Sequence, residues 1–258
     1  MNGILLINKP KDYTSHDIVA IIKKITGEKV GHTGTLDPNA TGVLPLLIGK
    51  ATGISKYLIN HDKIYIATLK LGEKRDTADS EGKVIETKKV ECITEEKVKR
   101  ELSSIIGKQE QTPPIYSAIK IKGKKLYEYA RSGKEVDIPK RSIEIYNTEL
   151  IKIEEDEITF KVSCSKGTYI RSLCEKIAED LNTVGYMKEL QRVQVGEFNI
   201  GQAVGIVEIR KNPTLIEDKI ISIEKYFEKK RKYRVITKRI TIIFKRSTIK
   251  QKIWRWDL

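Results

Sequence analysis

The sequence predicts an α+β fold, and two observations carry that reading. Strand-like and helix-like stretches mix along the 258 residues without the regular βαβ alternation of a doubly wound sheet. Residues 142–153 and 157–164 are both rich in β-formers, and only Glu154, Glu155 and Asp156 separate them, which is the spacing of a hairpin.

In chain order, Thr14 and Asp17 form a capping box ahead of Ile18, Val19, Ile21, Ile22 and Ile25. That spacing predicts an amphipathic helix ending near Gly27. Residues 51–59 predict a second helix. Ile64 to Leu71 reads as a strand closed by Gly72. Thr94 starts a helix with Val98, Leu102, Ile105 and Ile106 on one face and Gly107 at its end. A strand is expected over 117–122 and a short helix over 125–132, before Gly133. After the hairpin, Thr168 to Leu181 is expected to be helical and 193–200 a strand. No internal repeat is visible.

Composition narrows the class. With 39% hydrophobic and 33% charged residues, the chain can bury the core of one large domain, or of a domain with a small appendage. No run of about 18 apolar residues exists, so no membrane span is expected. The start, MNGILLINKPKDYTS, lacks a basic stretch ahead of an apolar run, so a cytoplasmic location is expected over secretion. Cys92, Cys164 and Cys174 are odd in number and lack C-x-x-C spacing; with three histidines, they argue against a disulfide framework and a zinc site. Net charge is +14, and residues 225–258 hold 13 Lys and Arg against Glu228 and Asp257. A polyanionic partner follows, because such side chains displace the counterions of phosphate backbones.

Gly31 to Gly42, GHTGTLDPNATG, holds three glycines, three threonines, a proline, an asparagine and one acid, Asp37. This composition predicts a tightly folded loop around a single positioned carboxylate. A phosphate-binding Walker loop is excluded, since Leu44 occupies its first glycine position and Ala51 follows Lys50. The similar string of ion-pumping ATPases is excluded too, because Gly31 stands where their aspartate would be.

GHTGTLDPNATGVLPLLIGKAT resembles the signature of the TruB-type tRNA pseudouridine synthases. Four more stretches agree in order. They are Leu6-Ile7-Asn8-Lys9-Pro10 with Thr14-Ser15, Tyr65 with Leu71-Gly72 and Arg75-Asp76-Thr77-Ala78-Asp79, Pro113 to Lys120, and Lys166 to Leu173. The resemblance covers roughly residues 1–200. It implies a pseudouridine-synthase fold, with a mixed, largely antiparallel sheet flanked by helices. It implies an isomerase that converts uridine to pseudouridine at position 55 in the T loop of tRNA.

The resemblance also implies roles. Asp37 is the nucleophile and Arg171 its cationic partner. Tyr65 stacks on the target uracil and offers its hydroxyl to the proton at carbon 5. Tyr169 and Leu190 line the base pocket, and His32 touches the substrate near the vacated stack. Lys120, Lys122, Lys124 and Lys125 lie in a basic stretch interleaved with Tyr127 and Tyr129, where the family grips the T stem-loop backbone. The reaction is an isomerisation, so no cofactor or metal is expected. The expected partner is tRNA, with the protein acting as a monomer without a protein partner. Residues 1–203 would form the catalytic domain. Residues 204–258 would be a reduced basic appendage where the family commonly carries a PUA-type barrel. A non-catalytic RNA-binding scaffold is the competing class; retention of Asp37, Tyr65 and Arg171 favours the enzyme.

Overall fold

The computed structural model describes residues 1–228. The chain runs β1 (Gly3–Lys9), α1 (Ser15–Thr26), β2 (Val30–His32) and β3 (Thr41–Ile48), then a 3-10 turn and α2 (Ser55–Leu58). Next come β4 (Lys63–Leu71), β5 (Glu73–Arg75), β6 (Val84–Thr87), α3 (Glu95–Ser104) and β7 (Gly107–Gln111). The small hairpin β8 (Lys120–Ile121) and β9 (Lys124–Lys125) leads into α4 (Leu126–Arg131). β10 (Arg141–Glu154), β11 (Glu157–Cys164), α5 (Ile170–Asp180) and β12 (Gly185–Val195) follow. β13 (Phe198–Asn199), a 3-10 turn (Ile200–Gln202), β14 (Val204–Gly205), α6 (Ile206–Lys211) and α7 (Leu215–Lys219) come next, and residues 223–228 are helical.

Ten strands form one mixed sheet with the order β14-β1-β3-β12-β4-β11-β10-β7 along its main path; β2 pairs with β3 and β13 with β12. Most pairs are antiparallel, and β12 runs parallel to β3. The α+β reading and the largely antiparallel sheet therefore hold.

Alternation decides which face each strand buries. On β4, Tyr65, Ala67, Leu69 and Leu71 point into the core that α3 and α5 cover through Val98, Leu102, Leu173 and Ile177. On β1, Leu5 and Ile7 meet Ile18 and Ile22 of α1, while Ile4 and Leu6 face a third cluster with Phe198 and Tyr226. β1 and β3 are thus buried on both faces, which explains their nearly unbroken apolar sequences.

Thr14 caps α1 in a reciprocal box with Asp17, and Gly27 closes it in the left-handed conformation, as the sequence predicts. The 142–164 hairpin is present, turning through Glu155 at φ 52°. α4 and α5 lie within their expected spans.

Four expectations are corrected. Residues 51–59 form no continuous helix: Gly49–Ile54 is a 3-10 turn and only Ser55–Leu58 is α-helical, with Gly49 and Gly53 weakening this stretch. Ile106 is 44% exposed, because α3 stops at Ser104 and Gly107 opens β7. The strand over 117–122 shrinks to Lys120–Ile121, since Lys122 and Gly123 both take positive φ and turn the chain back. The strand over 193–200 joins two separate elements. β12 ends at Val195, Gly196 turns at φ 55° beneath the His61 ring, and Phe198–Asn199 returns against Gln194 and Val195.

Residues 204–228 pack on the main body. Val204 pairs with Ile7, Ile221 exchanges backbone hydrogen bonds with Ile4, and Tyr226 is buried beside Phe198. The remaining basic tail, with its apolar residues Val235 to Phe244, lies outside the described residues.

Candidate active site

The glycine-rich segment is anchored at both ends by strands, so only Thr33–Ala40 is a true loop; Gly31–His32 belong to β2 and Thr41–Gly42 to β3. Its shape comes from hydrogen bonds on every side. Leu36 is clamped by Ser15, whose Oγ accepts from Leu36 N at 2.8 Å and donates to Leu36 O at 3.1 Å. Pro38 O accepts from Asp12 N at 2.9 Å and from Lys9 Nζ at 3.1 Å. The Arg192 guanidinium reaches Val43 O at 2.8 Å, Gly34 O at 3.1 Å and Thr35 O at 3.4 Å. Gly42 is required where it stands: at φ 106°, a Cβ there would sit 2.2 Å from Arg192 O. The loop that carries Asp37 is therefore held by two buried cations. Lys9 is fully buried, donates also to Pro10 O and Tyr13 O, and burial pulls its ammonium down to about 8.

Asp37 pairs with Arg171, Nε to Oδ2 at 3.2 Å. Arg171 projects from the first turn of α5 and is 5% exposed. Its Nη1 donates to Thr77 O at 3.0 Å and lies 3.5 Å from Asp79 Oδ2, and Nη2 donates to Tyr116 O at 2.8 Å. One guanidinium thus ties together three segments: the Asp37 loop, the turn after β5 and the stretch leading to β8. Asp79 is held in turn by Thr77 Oγ1 at 2.6 Å and Glu81 N at 3.1 Å. Crowding by the protein raises the Asp37 pKa; Arg171 opposes the rise and Asp79 adds to it. The Asp37 side chain keeps 36% of its surface open, so it stands at the mouth of the site with its cation behind it.

Tyr65 stands opposite Arg192 in the β4–β12 register. Burial raises the phenol pKa, with the nearby Arg192 charge opposing it and Asp37 near enough to add to it. Leu190, opposite Ala67, shares the cluster that holds Tyr65 and Leu36. Tyr169 caps α5 with its backbone locked by Gln111, which accepts from Tyr169 N at 2.8 Å and donates to Tyr169 O at 2.9 Å. Its phenol pKa is also raised by burial, and it senses both Arg171 and Asp37. His32 stacks edge-on against His16 at 5.4 Å, and burial, followed by the His16 and Arg192 charges, lowers its pKa.

Asp37, Arg171, Tyr65, Tyr169 and Leu190 are therefore brought around one site. Lys120, Lys122 and Lys124 are exposed on the β8–β9 hairpin, while Lys125 is half-buried and donates to the Tyr127 hydroxyl at 3.1 Å. The hairpin connects to the site through its root, where Tyr116 O receives Arg171. Sequence reasoning missed the roles of Lys9, Ser15, Asp79 and Arg192. The first three lie in the family-like motifs; Arg192 had no sequence signal, being defined by its register against Tyr65. Among the described residues no group of three His, Cys, Asp or Glu is placed to hold a metal ion. No described helix is long and apolar enough to cross a membrane.

A mixed sheet presenting an Asp–Arg pair near a strand tyrosine is the arrangement that the sequence resemblance to pseudouridine synthases implies. The fold matches the crystal structure of a Cbf5–Nop10–Gar1 complex with a TM-score of 0.66 and 30% identity, over 85% of this chain and 57% of that one. It also matches an H/ACA RNP bound to a substrate RNA containing 2'-deoxyuridine, with a TM-score of 0.62 and 27% identity, over 86% and 57% of the two chains. The chain belongs to the TruB family: residues 22–170 match the N-terminal domain of the TruB family pseudouridylate synthases. It is 48% identical over 230 residues to tRNA pseudouridine synthase B of Clostridium tetani, covering 89% of this chain and 79% of the relative. It is 46% identical over 225 residues to that of Caldanaerobacter subterraneus subsp. tengcongensis, covering 86% and 79%. The protein is an RNA pseudouridine synthase, an isomerase.

Proposed function

We propose that the enzyme converts the uridine at position 55 in the T loop of tRNA to pseudouridine, with Asp37 as nucleophile. The observation that carries this reading is the half-open Asp37 carboxylate, 3.2 Å from a buried arginine and close to Tyr65. The names of the relatives supply the tRNA substrate.

A stacked uridine is out of reach, so the target base is flipped into the site, between the Tyr65 ring and the apolar wall at Leu190. Asp37 attacks sugar or base in its ionised form, and Arg171 opposes the rise in pKa that burial imposes on the carboxylate. The N-glycosidic bond breaks, the uracil turns, and as carbon 5 bonds to the sugar the bond to Asp37 breaks and its carboxylate is regenerated. The proton displaced from carbon 5 moves to nitrogen 1, and the Tyr65 hydroxyl is the group placed to handle it. Atoms and electrons balance within the nucleotide, so the reaction consumes no cofactor. His32 meets the substrate beside the vacated stack, and Tyr169 gives the base a polar edge. Lys120, Lys122, Lys124 and Lys125 grip the T-stem backbone. The enzyme works as a cytoplasmic monomer.

The test is incubation of the purified protein with a T-arm stem-loop, followed by primer extension blocked at carbodiimide-modified pseudouridine. A stop at the T-loop uridine is expected, and none with Asp37→Asn, which still binds the RNA. Multiple turnovers by Asp37→Asn would refute the nucleophile.

A further inference from the structure

Asn39 lies in the GHTGTLDPNATG segment, two residues after Asp37. A surface side chain would suffice there, yet Asn39 is 7% exposed. Its Nδ2 donates to Ser80 Oγ at 3.3 Å, across 41 residues of sequence, and its Oδ1 is buried with no hydrogen-bond partner. Ser80 directly follows Asp79, the second carboxylate on Arg171. Arg75 secures the same turn by donating to Ser80 O at 3.1 Å and Gly82 O at 3.2 Å, and its guanidinium stacks 4.3 Å above the Tyr186 ring. The turn is thus a rigid body anchored to β12.

We propose that Asn39 is a positioning residue: through Ser80 it ties the nucleophile's loop to the turn that carries Asp79, fixing Asp37 against Arg171. Arg171 draws the two segments together by charge, but its longest contact, 3.5 Å to Asp79, constrains direction weakly. The Asn39–Ser80 bond supplies a second point of attachment, and two points fix an orientation that one cannot. The orphaned Oδ1 gives this role a signature. A buried, unpaired amide oxygen costs stability, so a side chain kept only for packing would be better served by leucine at this position. Asn39 is retained at a cost that the link to Ser80 explains.

This inference rests on the proposed reaction, and the experiment separates the two. Wild type, Asn39→Leu, Ser80→Ala, Ser80→Thr and the Asn39→Leu/Ser80→Ala double variant are compared on the T-arm stem-loop. Single-turnover rate at saturating enzyme, filter-binding Kd and Tm are measured for each. Asn39→Leu and Ser80→Ala are each expected to slow the single-turnover rate by about 10- to 100-fold, the penalty of a reacting group displaced by up to an ångström. Kd should change less than twofold and Tm should not fall. The double variant should be no slower than the slower single variant, because both remove one bond. Ser80→Thr, which keeps the hydroxyl, should recover most of the rate. An Asn39→Leu rate within twofold of wild type overturns the proposal, as do additive losses or a rate loss that tracks a lowered Tm. Inactive wild type overturns the reaction and the positioning role together, whereas active wild type with unaffected variants overturns only the latter.

Discussion

Replacing Arg171 by lysine keeps the positive charge and removes the geometry. The guanidinium places three nitrogens on four acceptors: Asp37, Asp79, Thr77 O and Tyr116 O. A lysine ammonium is a single nitrogen on a flexible stem and cannot span both carboxylates and two carbonyls on different segments. If it stays with Asp37 and Asp79, the Thr77 and Tyr116 carbonyls lose their charged donor inside a buried site. At about 1–1.5 kcal/mol each, that loss is about 2–3 kcal/mol. For a domain of this size, roughly 2–4 °C accompanies each kcal/mol, so Arg171→Lys should lower Tm by roughly 4–12 °C. With the Asp37 loop no longer locked to the other two segments, the single-turnover rate should fall by about 100-fold or more. Arg171→Leu leaves two carboxylates uncompensated and should cost about 3–5 kcal/mol. Thermal unfolding by circular dichroism and single-turnover pseudouridine formation test this on the same samples. An Arg171→Lys enzyme that keeps wild-type Tm and rate refutes the argument that fork geometry, rather than charge, organises the site.

Three further outcomes follow from the same geometry. Burial raises the Asp37 pKa, so the native state binds its proton more tightly than the unfolded chain does, and stability falls as pH rises through that window. Asp37→Asn, which mimics the protonated form, should therefore raise Tm at pH 7 while abolishing turnover. The gain should vanish below the ordinary carboxylate pKa, and thermal melts across that pH range check it. Tyr65→Phe keeps the ring but removes the hydroxyl, so it should bind RNA and stall in chemistry; Tyr65→Leu should lose binding as well, by about 1–3 kcal/mol for the missing stack. Normal turnover by both would reduce Tyr65 to a packing residue. Truncating after Glu228, which removes 12 Lys and Arg and one acid, should weaken tRNA binding. The log–log salt slope should become shallower by about 0.7–0.9 for each phosphate no longer neutralised, and an unchanged slope rules out an electrostatic tail.

The cut must fall there and not at residue 225, because Tyr226 and Phe227 pack with Phe198, Ile4 and Leu6. That packing illustrates what the sequence left hidden. Local rules were legible: the Thr14 cap, the Gly27 stop, the Glu155 turn and the alternation along β4 all follow from interactions within a few residues. β12 was not, because its bulge between Met187 and Glu189 breaks the period of two that marks a strand. β3 carries Pro45 inside its run and is buried on both faces, which removes its alternation too. In the site, Asp37, Arg171 and Tyr65 were legible because they sit in recognisable motifs. Arg192 was not, since nothing local distinguishes a buried arginine from a surface one; its role exists only through the β4–β12 register.

The position of β12 has a consequence for how the enzyme comes into being. Among the described strands it alone joins β14-β1-β3 to β4-β11-β10-β7. The loop that carries Asp37 hangs from the first group and Tyr65 from the second, so the candidate site straddles a seam. The strand that closes the seam is made late: residues 185–195 leave the ribosome after every residue of the Asp37–Arg171–Tyr65 set. A nascent chain holding all three of those residues therefore still lacks the strand that joins their two halves of the sheet. A chain interrupted before Gly185 carries those three side chains with no strand between the two strand groups.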